Sequence, residues 1–239
     1  MKQSHVVLLG ALGFVALLMV GSLGWLRYAF SSYEGADRPI ITGRQASRTY
    51  DYSGFSAIDV SGQWEVTVTQ GTDWQVEVSY PEGLEDRIEV RLDGSTLDLG
   101  GSSRGWGWGG FGGRQRLTAR ITLPALEELD LSGASAVEVS GFTGDELRID
   151  ASGAVHVEGT NGRFERLDLD VSGAGNIDLR GVSVRDARVD LSGATNVTLT
   201  MDGGELTGNI SGAGNLMYYG DVREQSVRSS GFTSIHRGN

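Results

Sequence analysis

Six Ser-Gly pairs begin at Ser132, Ser152, Ser172, Ser192, Ser211 and Ser230, spaced 20, 20, 20, 19 and 19 residues apart. No other feature limits the fold of this chain as strongly. Around each pair apolar and polar residues alternate, as in "LDLSGASAVEV", "LDVSGAGNIDL" and "VDLSGATNVTL", the period of a strand with one buried face. A unit this short cannot cover its own apolar side, so successive units must stack, like residue on like, at the ~4.8 Å spacing of neighbouring strands. Three residues before each Ser stand Leu129, Ile149, Leu169, Val189, Gly208 and Val227; five after it stand Val137, Val157, Ile177, Val197, Leu216 and Ile235. Both columns are expected to face inward, as is the column two after each Ser, Ala134, Ala154, Ala174, Ala194, Ala213 and Phe232. The glycine of each pair is expected to turn a corner, because it enters left-handed backbone conformations at low steric cost. The fold class is therefore all-β: a right-handed parallel β-helix of ~20-residue coils. The hexapeptide period of a left-handed helix is absent.

Alternating stretches extend upstream through "FSAIDVSG", "WEVTVTQG", "WQVEVSY", "DRIEVRLDG", "STLDLGG" and "RLTARITLP", so the β-helix head domain is expected over residues 55–239. Residues 28–54 are polar, without a sustained period, and are expected to form a tether. Residues 1–27 are expected to be a membrane anchor or uncleaved signal. Within them, residues 6–26 carry no charge, and at ~1.5 Å per residue such a helix matches a bilayer core of about 30 Å. A cleaved signal is the competing reading, with Ala29-Phe30-Ser31 as a small-x-small site. Arg27, Arg38, Arg44 and Arg48 follow the apolar run, a bias toward a cytoplasmic body. An apolar run close behind Lys2 is nevertheless the layout of an export signal. The expected location is an inner-membrane anchor with the domain facing the periplasm or cell exterior.

The formal charge of −11, from 31 acids and 20 bases, argues against nucleic acid as a partner. With no Cys in the chain, disulfides, thiolate metal sites and a Cys nucleophile are excluded. Two residues before the repeating Ser stand Asp130, Asp150, Asp170, Asp190, Asn209 and Arg228, and Asp59 in "IDVSG" has the same setting. Neighbouring charges ~4.8 Å apart repel by about 0.9 kcal/mol even at the dielectric of water. Arg148 and Arg188, two residues along the same strand faces, are placed to offset this. A divalent-cation column is one reading of such a ladder. A solvated, ion-paired face is preferred, because the Gly-Gly-x-Gly-x-Asp nonapeptide of Ca²⁺ solenoids is absent. Glu138, Glu158 and Asp178 form a second acidic column with the same expectation. Asn176, Asn196 and Asn215 recur in three coils and are expected to stack their amides.

No Ser/His/Asp order, His pair or phosphate loop points to a catalytic or metal site. No cofactor is expected. His156 and His236 fall in outward columns of different coils. The clearest break in pattern is "GGSSRGWGWGGFGGRQR", residues 100–116, expected to leave the solenoid as a loop. Its Trp106, Trp108 and Phe111 are the candidate binding residues, able to stack on sugar rings, meet a membrane interface or grip a partner. The alternative is a flexible insertion whose rings pack back on the solenoid.

"FSAIDVSGQWEVTVTQG", then "LPALEELDLSGASAVEV" and the successive "SGAGN" coils, resemble the bacterial putative auto-transporter adhesin head GIN domain family from Phe55 to the C-terminus. The resemblance implies a β-helix of the envelope or a secreted one, and supplies no catalytic residues. The expected function is a non-enzymatic cell-envelope scaffold or adhesin-like binding module. Its expected partners are the membrane, through residues 6–26, and a polysaccharide or an envelope protein. The competing reading is a carbohydrate-active enzyme that binds or cleaves polysaccharide, since carboxylate pairs can supply acid and base.

Overall fold

A computed structural model describes residues 44–101 and 117–238. The chain divides into two units, Met1–Thr42 and Gly43–Asn239, and every described strand belongs to the second. The strands are β1 (Gln45–Tyr50), β2 (Ala57–Gln70), β3 (Gln75–Pro81), β4 (Ile88–Asp93), β5 (Thr96–Gly101) and β6 (Leu117–Leu123). They continue as β7 (Glu128–Ser140), β8 (Thr143–Thr160), β9 (Gly162–Asp202), β10 (Glu205–Asp221) and β11 (Glu224–Arg237), with one 3-10 turn at Glu85–Arg87. The expected membrane anchor lies outside the described residues. Among those that are described, no helix is long and apolar enough to cross a membrane.

From β7 onward the repeat stacks as its spacing requires. β7, β8, β9, β10 and β11 pair in parallel, in chain order. Ser132 lies beside Ser152, Gly133 beside Gly153 and Val137 beside Val157, which in turn lies beside Ile177; Val197 lies beside Leu216. Val137, Val157, Ile177, Val197 and Leu216 are at most 1% exposed. The all-β solenoid is thus built from columns of like residues. Where a ring enters the core, a neighbouring coil supplies the space: Gly144 faces the Phe164 ring, and a Cβ there would lie 3.2 Å from it.

The corner glycines are constrained twice. Gly153 has φ +102° and Gly173 φ +115°, which side-chain-bearing residues rarely adopt. A Cβ on Gly153 would also strike the backbone of Gly133 directly beneath it. One column differs from expectation. Ala134, Ala154 and Ala194 are exposed, and the buried column is the next one, Ser135, Val155, Gly175 and Thr195. Counting in twos from Leu131 through Gly133 to Ser135 puts Ala134 on the outward face, and likewise Phe232 of the last coil, 59% exposed; only the corner glycine departs from its inward position.

The region before residue 126 departs from simple winding. β2 is already a coil, with Ser61-Gly62 registered on Ser132-Gly133 of β7. Its other edge pairs in parallel with β5 and β6, which come later in sequence. β3 pairs antiparallel with β6, β1 with β3 and β4 with β5. The expectation of parallel coils throughout 55–239 is therefore corrected for these strands. For β4 and β5 the cause is local: Asp93 pairs with Thr96 across Gly94-Ser95, with Gly94 at φ +59°, and such a two-residue turn makes a hairpin rather than a coil. Residues 45–50, expected within the tether, form β1. "SRTY" alternates too briefly to signal a strand, and the exposed edge of β3 supplies its ladder.

Candidate functional site

The outward face of the first arm of each coil carries an uninterrupted file of carboxylates. By register, Asp98 lies beside Asp59, Asp59 beside Asp130, Asp130 beside Asp150 and Asp150 beside Asp170, with Asp190 next in the stack. Asn209 and then Arg228 end the file. The strand period puts Ser61, Ser132, Ser152 and Ser172 two residues along on the same face, and Glu128, Arg148, Asp168 and Arg188 two residues before. Asp98 was not foreseen as a member. Its signal was available in "LDLGG", which keeps the "LDL" of "LDLSG" but lacks the serine.

Electrostatics grade along the file. Burial first, then neighbouring carboxylates, pushes Asp59, Asp130 and Asp170 above the ordinary aspartate range. Asp190 is held below it, first by Asn209, whose Nδ2 donates to Oδ1 at 2.7 Å, and then by Arg188, whose Nε donates to Oδ2 at 2.9 Å. Arg148 sits 3.5 Å from Glu128 and 3.9 Å from Asp150. Arg148 and Arg188 therefore stand where the sequence placed them. Two depressions lie around these residues. A depression of ≈ 210 Å³ is lined by Arg148, Ile149, Asp168, Asp170, Arg188 and Asp190. A second, of ≈ 430 Å³, includes Glu127, Glu128, Asp145, Glu146, Arg148 and Arg166. Among the described residues, no three His, Asp or Glu side chains converge as a metal site.

The second arm carries the amide column. Asn196 Nδ2 donates to Asn176 Oδ1 at 3.1 Å, Asn215 Nδ2 to Asn196 Oδ1 at 3.2 Å, and Ser234 Oγ to Asn215 Oδ1 at 2.7 Å. His156 Nδ1 lies 3.0 Å from Asn176 Nδ2, so this histidine extends a structural ladder. In the other acidic column, burial pushes Asp178 up, but hydrogen bonds from the Arg180 side chain and backbone outweigh it and hold the carboxyl low.

Trp106, Trp108 and Phe111 lie outside the described residues. What is described is where the chain leaves and returns. Leu99 pairs with Val60 and Leu117 with Trp64; in β2 the three residues 61–63 join these positions, whereas from Leu99 to Leu117 the seventeen residues 100–116 do so. The aromatic segment thus stands in sequence where the other coils have their Ser-Gly-Ala corner.

Residues 54–222 match the family described as putative auto-transporter adhesin, head GIN domain. The chain belongs to this family. Among solved structures it is similar to a putative adhesin from Bacteroides fragilis, with TM-score 0.62 and 18% identity over 82% of this chain and 97% of that one. It is also similar to a putative lipid binding protein from Parabacteroides distasonis, with TM-score 0.50 and 18% identity over 83% of this chain and 98% of that one. At these identities the likeness shows the fold alone. No curated protein matches the chain.

Proposed function

We propose that this GIN domain is a non-enzymatic, adhesin-like binding module of the cell envelope. Its charged strand face and the aromatic segment 100–116 are its contact surfaces. The observation that carries this reading is the carboxylate file itself. It repeats one polar group per coil along an open face, with serine hydroxyls beside it, which suits an extended polymer gripped at many equivalent points. Trp106, Trp108 and Phe111 are assigned to sugar-ring stacking. Residues 6–26 are assigned as an inner-membrane anchor, with the domain facing the periplasm or cell exterior, in keeping with the family's adhesin description. Right-handed winding is proposed from the hand that parallel strand connections almost always take.

One observation favours polysaccharide cleavage as a second reading. Asp170 is pushed up and its neighbour Asp190 is held down, and both line the same depression; a divergent carboxyl pair is what acid-base glycoside hydrolysis uses. Binding is preferred because the depression is small, at ≈ 210 Å³, and its acids continue a periodic file. Polysaccharide arrays incubated with the full chain, scored separately for retention and for new reducing ends, distinguish the two. Retention without release, lost in Trp106→Ala and Trp108→Ala together, is the expected result. Release that disappears in Asp170→Asn and Asp190→Asn would establish the enzyme instead. Protease accessibility in intact and osmotically opened cells tests the assigned side of the membrane.

A further inference from the structure

We propose that β11 is a self-association edge, on which a second copy of this chain pairs antiparallel, end to end. β11 pairs with β10 along its whole length in parallel, and among the described strands nothing pairs with its other edge. An edge of unpaired N–H and C=O groups is a template for a further strand. Its core-column residues Val227 and Ile235 are only partly covered, and Phe232, 59% exposed, is the one exposed large hydrophobic among the described residues.

The bent course of the strand selects the partner. β11 turns at Gly231, φ +92°, so it has two arms. A twofold axis through Gly231 exchanges them and pairs each residue with one whose number sums with its own to 462. That register preserves the in-out pattern. It sets Val227 of one copy against Ile235 of the other, both core-facing, and Ser229 against Thr233. It also sets Arg228 against Ser234 and brings Glu224 next to Arg237 of the second copy.

Charge permits the contact here and opposes it elsewhere. The chain carries −11, yet along β11 the aspartate file has already given way to Asn209 and Arg228. Glu224 is the only acid in the strand. Two copies therefore meet without opposing carboxylates. Arms of about seven residues at ~3.3 Å each make an edge about 45 Å long but one coil deep. An interface of that size lies at the small end of stable contacts, so the dimer is concentration-dependent.

The absence of Cys makes the test clean. Full-length Ser229→Cys and Thr233→Cys proteins, purified in detergent, are oxidised separately and as a mixture. The mixture should yield disulfide-linked dimer at least tenfold above either protein alone. Adding Val227→Lys and Ile235→Lys to both should remove that excess, and a retained β-sheet circular dichroism spectrum shows the solenoid still folded. If the double-lysine proteins fail to fold, the unmodified mixture alone decides. No excess in the mixture, as expected if another segment or protein covers β11, overturns the proposal. So does an excess that survives the lysines.

Discussion

The two ends of the solenoid finish in different ways. At the N-terminal end the chain doubles back, and antiparallel β1, β3 and β4 extend the stack beyond β5 and β6. Val76, Val78, Leu97 and Ile121 are at most 1% exposed there. At the C-terminal end β11 is the last described coil, and among the described residues Val227, Phe232 and Ile235 are partly or largely open. A parallel coil cannot close itself, because the face it offers is the one it was given. Covering the core needs a hairpin that reverses the chain, and among the described residues hairpin turns lie only in the N-terminal part, where β1 and β4 become the edge strands. The same asymmetry runs through the carboxylates. Asp59 and Asp130, toward the closed end, are raised by burial and by neighbouring acids, whereas Asp190, toward the open end, is lowered by Asn209 and Arg188.

The largest effect is expected midway, where both ends depend on unbroken stacking. Gly153→Ala combines a left-handed backbone with a backbone collision and should cost more than about 4 kcal/mol in urea unfolding, among the severe class of substitutions. A loss below about 1 kcal/mol would show that the coils can shift apart. Leu97→Ala at the closed end should cost about 2–5 kcal/mol. Ile235→Ala at the open end should cost under about 1 kcal/mol in dilute solution, because little area is buried there. Equal losses would abolish the contrast between the ends.

Protonation sharpens the comparison further. The raised Asp59 and Asp130 bind protons more readily folded than unfolded, so their half gains stability as pH falls through their folded-state pKa values. The lowered Asp190 stabilises the fold above the ordinary carboxylate range, and that contribution is lost as pH falls through its folded value. Asp59→Asn should therefore raise stability near pH 7 and flatten the gain on acidification. Asp190→Asn should lower stability near pH 7 and remove an acid-side loss. Each effect is expected at about 1 kcal/mol or less, since solvent screens these half-open groups, and the same sign for both variants would refute the gradient. Least of all, Arg166→Ala breaks an exposed pair with Glu146 at 3.2 Å and should change the unfolding free energy by no more than about 0.5 kcal/mol.

The periodic half of the fold was legible because a stacked column selects the same residue type in every coil. Leu129, Ile149 and Leu169 stand out as one column in the sequence alone. The Asn column and the positions of Arg148 and Arg188 beside the aspartates were legible for the same reason. What escaped was non-periodic. β3 and β4 alternate like any strand, and alternation carries no direction, so the antiparallel closure was invisible except through Asp93-Gly94. The Ala column was misplaced because, two residues beyond the outward serine, it falls on the outward step of an alternation that runs on in twos from Leu131 to Ser135. Asp98 was missed because its coil lacks the Ser-Gly corner that marked the others.

Pairs of nitroxide labels on introduced cysteines test the stacking most directly. Glu138, Glu158 and Asp178 are consecutive members of one outward column. Labels at 158 and 178 should show strong dipolar broadening, as should labels at 138 and 158. Labels at 138 and 178 should show a separation larger by about one strand spacing of ~4.8 Å. Separations that do not grow with the number of intervening coils would contradict a solenoid in which each repeat lies on the last.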